Sequence, residues 1–123
     1  MTADALADVA ADPRGERVAF DDLAAFVAGP GVRLALIAGE PGRRPETQDV
    51  AVVVRELLRD ASLALRVAVV EGELSAERKE AFDLRIEPSL ILARDGTVRE
   101  VIPGIKDWAV YHQRLKAMFE GNA

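Results

Sequence analysis

The hydrophobic residues fall in short runs that are mostly apolar on both faces and in longer runs with helical spacing. Residues 32–39 and 63–72 are of the first kind, and each run ends at a glycine. Such a run predicts a strand that is buried on both faces of a parallel sheet. Segment 46–61 is of the second kind, with apolar residues at the positions i, i+3, i+4, i+7, i+8 and i+11: Val50, Val53, Val54, Leu57, Leu58 and Ala61. Its valines favour a strand, but its length and acidic first turn predict a helix.

The remaining elements follow from turn residues and periodicity. We expect a short or frayed helix within residues 1–14, a brief strand at 16–20, a helix that starts near Phe20, and a helix at 75–82 capped by Ser75. Asp95 and Gly96 predict a type I′ turn between two antiparallel strands. The last helix, at 106–121, carries an apolar stripe in which Trp108 is expected to anchor the helix to the sheet: Trp108, Tyr111, Leu115, Met118 and Phe119.

The predicted order of elements is β-α-β-α-β-α-β-β-α after the N-terminal helix. Helical crossovers followed by a hairpin require a mixed sheet with helices on both faces, and this order is that of the thioredoxin fold, an α/β fold. We find no linker or repeat, so residues 1–123 are expected to form a single domain.

Composition excludes several classes of function. The chain has no cysteine, which removes thiol catalysis, thiolate zinc sites and iron–sulfur clusters. Its one histidine, His112, has no acid or second histidine at ligand spacing, so we expect neither a catalytic residue, a metal nor a cofactor, and interpret His112 as a packed or surface residue. The net charge of −5 argues against nucleic acid as a partner and favours basic partners. An acidic N-terminus and the absence of a long apolar run predict a cytoplasmic protein without membrane insertion.

Pro88 lies where the first strand of the hairpin begins. The segment "FDLRIEPS", residues 82–89, resembles the part of thioredoxins that enters the hairpin through a cis-proline, and Pro88 would be that residue. Where redox-active members have Cys-x-x-Cys, this chain has "GEPGRRPE", residues 39–46. The resemblance therefore implies the thioredoxin scaffold without thiol–disulfide exchange. Pro88 either shapes the fold alone or also contributes to a binding groove.

A second resemblance covers nearly the whole chain. The motif "PE..D......ELLR", from Pro45 to Arg59, together with Pro88 and with Gly104, Ile105 and Trp108, is similar to the HyaE/HupG family of hydrogenase accessory proteins, which are thioredoxin-like and lack the redox cysteines. This resemblance implies a cytoplasmic chaperone for maturation of a membrane-bound uptake [NiFe] hydrogenase. The implied partner is the hydrogenase small subunit, through its twin-arginine signal peptide, and possible further partners are other hydrogenase accessory proteins.

Four acidic residues are the candidate partner-binding residues beside Pro88: Glu40, Glu46, Asp49 and Glu87. Peptides add as a short strand beside the residue that precedes the cis-proline, here Glu87, and carboxylates there would favour paired arginines. Arg43 and Arg44 oppose this interpretation, unless they pair with Glu40 and Glu46 or cover the groove until a partner arrives. Glu46 and Asp49 are equally explained as partners of a helix dipole.

Three hypotheses of function remain open at this point. The first is a non-catalytic chaperone that binds the signal peptide. The second is a scaffold that docks onto folded hydrogenase subunits or another accessory protein without binding that peptide. An enzyme with unrecognised chemistry is the third and least expected, because the sequence offers no set of nucleophile, base and orienting group.

Overall fold

Strands and helices alternate in the order that the sequence predicts. The computed structural model describes residues 4–40, 45–60 and 62–120. Its elements are α1 (Ala5–Ala11), β1 (Gly15–Arg17), α2 (Phe20–Val27), β2 (Val32–Gly39), α3 (Pro45–Arg59), β3 (Leu65–Glu71), α4 (Ala76–Ala81), β4 (Ser89–Arg94), β5 (Thr97–Pro103) and α5 (Trp108–Phe119). The expected strand at 16–20 is shorter than predicted because Phe20 already begins α2.

The five strands form one mixed sheet in the order β1-β3-β2-β4-β5. β1, β3 and β2 run parallel, and β4 is antiparallel to both β2 and β5. In this register Ile37 lies opposite Ser89, and Ser89 lies opposite Pro103. The end of β2, the start of β4 and the end of β5 therefore meet at one end of the sheet.

The core has two layers, one on each face of the sheet. Leu34 and Leu36 of β2 pack with α1, α3 and α5, whereas Ala35 and Ile37 pack with α2 and with residues that flank α4. This alternation explains why β2 is apolar on both faces. The α/β fold class that the sequence predicts, a mixed sheet flanked by helices, is confirmed.

Segment 45–59 is a helix in spite of its valines. Val50, Val54 and Leu57 are fully buried against the sheet, while Val52 points outward and is 39% exposed. Helical periodicity places Val50, Val54 and Leu57 on one face, and it therefore outweighs the strand propensity of valine. Ala61, the last residue of the predicted apolar series, lies outside the described residues.

The N-terminal helix is short and is packed rather than frayed. Asp4 caps it by accepting a hydrogen bond from the Ala7 N–H, and Ala5, Leu6 and Val9 are buried in the core layer that contains α3. Leu6 is also held by the side chain of Gln48 on α3. This helix thus belongs to the hydrophobic core.

The hairpin and the last helix differ in how well the sequence predicts them. Asp95 and Gly96 have φ angles of 49° and 89°, as a type I′ turn requires. In α5, Tyr111, Leu115 and Met118 are buried as predicted. The expectation that Trp108 anchors this helix is wrong: its side chain is 43% exposed, because Trp108 stacks on His112 instead of entering the sheet. No helix in the described ranges is both long enough and apolar enough to cross a membrane.

Candidate functional site

The candidate site lies at the end of the sheet where β2, β4 and β5 meet. The peptide bond between Glu87 and Pro88 is cis, and Pro88 is buried. The Pro88 carbonyl accepts a hydrogen bond of 2.8 Å from the Gly104 N–H, which joins the start of β4 to the loop after β5. The Ser89 hydroxyl donates a 2.6 Å hydrogen bond to the Ile86 carbonyl. These bonds fix the backbone on both sides of the proline.

Glu87 covers the last residue of β2. Its Cδ atom lies 3.0 Å from the position that a Cβ atom on Gly39 would occupy, and Gly39 has a φ angle of +73°. Glycine is therefore required at position 39 both by its backbone conformation and by the carboxylate above it. The strand ends in a glycine that makes room for an acidic side chain.

One oxygen of the Glu87 carboxylate is shielded from solvent without a compensating contact. Oε2 is buried and has no hydrogen-bond partner among the described residues. An unpaired buried carboxylate oxygen is costly, so a rotation of the Glu87 side chain toward a hydrogen-bond donor would recover free energy. The sequence predicts an acidic residue here but not its partial burial.

The other candidate acids surround the end of β2. Glu40 follows Gly39 directly and is exposed. Glu46 is exposed on the first turn of α3, and Asp49 is exposed where the second turn begins. The buried Thr47 hydroxyl between them donates a 2.9 Å hydrogen bond to the Ala38 carbonyl of β2, so this turn is tied to the same end of the sheet.

The structure thus places Glu87 over Gly39, which Glu40 follows in the sequence, and places Glu46 and Asp49 near the start of α3. Within the part of the chain that is described, Glu46, Asp49 and Glu87 form no ion pair. Glu56, by contrast, is paired with Arg59 at 2.8 Å. Arg43 and Arg44, which the sequence places between Glu40 and Glu46, lie outside the described residues.

An apolar surface beside these acids is missed by the sequence-based prediction of the site. Ile86 and Ile105 are 52% and 46% exposed, and the Cδ1 atom of Ile86 lies 3.3 Å from the position of a Cβ atom on Gly104. The signal in the sequence is weak: two isoleucines in loops, one just before the cis-proline and one just after Gly104. Neither belongs to a periodic run, so neither is expected to be buried.

A second polar cluster links α5 to the end of α3. His112 Nε2 lies 3.0 Å from Asp60 Oδ2, and the Ser62 hydroxyl donates a 2.6 Å hydrogen bond to Asp60 Oδ1. The Ser62 hydrogen bond and then the His112 bond lower the pKa of Asp60 from 3.8 to about 2. The His112 ring in turn stacks on Trp108, with ring centroids 4.3 Å apart. No group of three metal-ligating side chains occurs in the ranges that the structure describes.

The fold and the site define a thioredoxin-like protein without thiols. A thioredoxin variant from Halobacterium salinarum superposes with a TM-score of 0.64 over 87% of this chain and 93% of that protein, at 20% identity. Mitochondrial thioredoxin 3 of Saccharomyces cerevisiae gives a TM-score of 0.65 over 91% and 97% of the two chains, at 10% identity. These likenesses show the fold.

The sequence places the chain within one family of this fold. The model of the family described as hydrogenase-1 expression protein HyaE matches residues 10–111, and the chain belongs to that family. This confirms the resemblance identified from the motif at Pro45 and the residues around Pro88.

Curated relatives carry names that agree with this family. The hydrogenase expression/formation protein HupG of Bradyrhizobium diazoefficiens is 36% identical over 89 residues, which are 72% of this chain and 60% of that protein. The corresponding protein HoxO of Cupriavidus necator is 38% identical over 98 residues, 78% of this chain and 61% of its own length. The chain therefore spans about three fifths of the length of these relatives.

Proposed function

We propose that this protein is a non-catalytic chaperone of hydrogenase maturation that binds the twin-arginine signal peptide of the hydrogenase small subunit before export. Membership of the HyaE family and the names of the HupG and HoxO relatives support a role in hydrogenase maturation. In this proposal, the protein binds the signal peptide in the cytoplasm, and the hydrogenase is a membrane-bound uptake [NiFe] enzyme.

The Glu87 carboxylate carries the proposal for peptide binding. Its Oε2 atom is buried without a partner among the described residues and lies beside the cis-proline. A guanidinium group provides several donors in a planar fork that fits a carboxylate, so an arginine side chain is suited to pair with the Glu87 carboxylate once it turns toward the peptide. Glu40, Glu46 and Asp49 add negative charge on the side of β2 and α3.

The backbone beside Pro88 supports the same mode of binding. In the described part of the chain, the N–H groups of Ile86 and Glu87 and the carbonyl of Glu87 make no hydrogen bond. A peptide in extended conformation can therefore pair with this segment as a short added strand. Backbone pairing would supply affinity, and the acidic side chains would select arginine.

Calorimetric titration with two synthetic signal peptides tests the proposal. One peptide carries the arginine pair, and the control carries two lysines in its place. We expect the arginine peptide to bind severalfold more tightly, because lysine cannot make the bidentate contact. Equal affinities for the two peptides would contradict the proposed preference for arginine. Binding of neither peptide would overturn the peptide-binding mechanism.

Docking onto a folded hydrogenase subunit or another accessory protein is the second candidate, and the edge strand β5 favours it. Among the described strands, β5 pairs only with β4, so its other edge has no partner strand there, and Val98 of β5 is 38% exposed. A partner surface can add to such an edge. This candidate predicts that crosslinks from position 98 map to folded domains, whereas the peptide-binding candidate predicts no such crosslinks.

A further inference from the structure

The three most exposed large apolar side chains in the described ranges lie around the loop that follows β5: Ile86 packs over Gly104, and Ile105 and Trp108 come one and four positions after Gly104. Ile86 is 52% exposed, Ile105 46% and Trp108 43%. Ile86 precedes the cis-proline by two residues, Ile105 lies in the segment that connects β5 to α5, and Trp108 is the first residue of α5. This surface, Ile86, Ile105 and Trp108, is called the apolar strip below.

Contacts within the loop hold the first half of the apolar strip in place. Ile86 packs over Gly104, whose N–H donates to the Pro88 carbonyl at 2.8 Å. The Tyr111 hydroxyl accepts a 2.8 Å hydrogen bond from the Lys106 N–H and donates one of 3.2 Å to the Gly104 carbonyl. The backbone on both sides of Ile105 is therefore fixed to α5, and Ile105 is pinned beside the cis-proline segment.

Trp108 forms the other half of the apolar strip and is held in a fixed orientation. Trp108 comes three positions after Ile105, so their Cα atoms are at most about 11 Å apart. One face of the indole is stacked on the His112 ring at an interplanar angle of 17°, and His112 is held by Asp60. A side chain ordered before binding loses less entropy when a partner covers it, and tryptophan is enriched among residues that dominate interfaces.

We propose that the apolar strip is a second subsite of the peptide surface, which takes aliphatic or aromatic side chains that flank the arginine pair. This inference rests on the proposed function, because the strip continues directly from Glu87 and Pro88. The partner is then an extended peptide with two features side by side, a cationic pair for the acidic residues and apolar residues for the strip. A peptide with the arginines alone would fill half of the surface.

Charge decides between this occupant and a second copy of the chain. Ile86 of the apolar strip is next to Glu87, whose side chain lies over Gly39. Glu40 follows Gly39 in the sequence. Two copies that met at this surface would bring these carboxylates together, and the chain has a net charge of −5. A cationic peptide is attracted by these carboxylates instead of repelled, and its apolar residues can cover the apolar strip.

The single tryptophan of the chain provides a direct measurement. Two tryptophan-free peptides share an arginine pair, and one has two leucines next to the pair where the other has two serines. We expect the leucine peptide to bind about tenfold more tightly, since covering apolar side chains of this size contributes that much. We also expect only the leucine peptide to shift the Trp108 emission to shorter wavelength and to protect it from acrylamide quenching.

Matched variants locate the effect. Ile105→Ala should reduce the preference for the leucine peptide about fivefold, whereas Val52→Ala, at a 39% exposed valine on α3, should leave the preference unchanged. Equal affinity for both peptides would overturn the subsite while leaving arginine recognition intact. Binding of neither peptide would instead overturn the proposed function and the subsite with it. A dimer in solution that Ile105→Ala dissolves would make a second copy the occupant and would also overturn the proposal.

Discussion

The carboxylate of Glu87 is half-buried over Gly39 and keeps one oxygen without a partner in the described residues. Such an atom costs folding free energy, which a partner that donates hydrogen bonds would recover on binding. Position 87 therefore serves binding more than it serves stability. At the residue scale, this separates it from Glu56 and other acids that are paired within the chain.

Replacement of Glu87 by glutamine tests this separation. We expect Glu87→Gln to weaken binding of an arginine-pair peptide about three- to fivefold, which corresponds to one partly exposed ion pair. The melting temperature should not fall, because the substitution removes a charge whose solvation is impaired. Calorimetric titration and thermal unfolding measure the two quantities.

Glu77→Gln is the matched control for this substitution, since Glu77 is an exposed acid on α4, away from the site. It should change neither quantity. Unchanged peptide affinity in Glu87→Gln, or a loss of several degrees in melting temperature, would contradict the role given to Glu87.

Gly39 and Gly31 form a pair that isolates the contact with Glu87. Their φ angles are +73° and +75°, but a Cβ atom at position 39 would meet Glu87, whereas one at position 31 has no neighbour within 4 Å. Gly31→Ala should cost about 1 kcal/mol of unfolding free energy through backbone conformation alone, and Gly39→Ala should cost about 2 kcal/mol.

In a Glu87→Ala background, the cost of Gly39→Ala should fall toward that of Gly31→Ala, because the side chain it meets is shorter. Denaturant unfolding of the parent chain, the three single variants and the double variant measures this difference. Equal losses of unfolding free energy for the two glycine substitutions in the parent chain would show that Glu87 does not contact a side chain at position 39.

At the scale of elements, the link between α3 and α5 depends on the ionised form of Asp60. Hydrogen bonds from Ser62 and His112 lower its pKa from 3.8 to about 2. The pKa in the folded protein is thus below the unfolded value. Ionised Asp60 stabilises the fold above about pH 4, and this contribution is lost as the pH falls toward 2.

Asp60→Asn should therefore be less stable than the parent chain at pH 7, and the difference should disappear between about pH 4 and pH 2. Denaturant unfolding of both proteins across this range measures it. Ser62→Ala, which removes the largest cause of the lowered pKa, should shrink the difference at pH 7. A difference that persists undiminished at pH 2 would contradict the assignment.

The sequence predicts most elements because their signals are local. The apolar run of β2, the helical spacing of α3 and the Asp95-Gly96 turn each depend on residues within one segment. The position of Trp108 is not local. It fits the apolar stripe of α5, but at the first helical residue it reaches His112 and solvent instead of the sheet.

The candidate site shows the same limit. The acids and Pro88 are evident from their types and from the resemblance to thioredoxins, but the burial of Glu87 arises only when the Glu87–Pro88 segment closes over the end of β2. The apolar strip likewise requires Gly104 and Pro88 to be hydrogen-bonded across two strands. Periodicity within one segment does not contain such information.

At the scale of the whole molecule, a sheet with helices on both faces exposes one end at which three strands meet. In this chain, that end has a cis-proline, an acidic side around Gly39 and an apolar side around Gly104, and the sequence contains no thiol. Acidic and apolar groups near the same cis-proline segment suit a partner peptide that carries both cationic and apolar side chains. The thioredoxin scaffold is thereby suited to recognition of a peptide.

The most direct test of peptide binding is photo-crosslinking to the full precursor of the hydrogenase small subunit. A photoreactive amino acid is placed at position 105, with position 52 on the exposed side of α3 as control, and crosslinked sites are mapped by mass spectrometry. We predict that position 105 crosslinks within the signal peptide next to its arginine pair and that position 52 does not. Crosslinks from position 105 only to folded domains of the subunit, or equal crosslinking from position 52, would contradict the account.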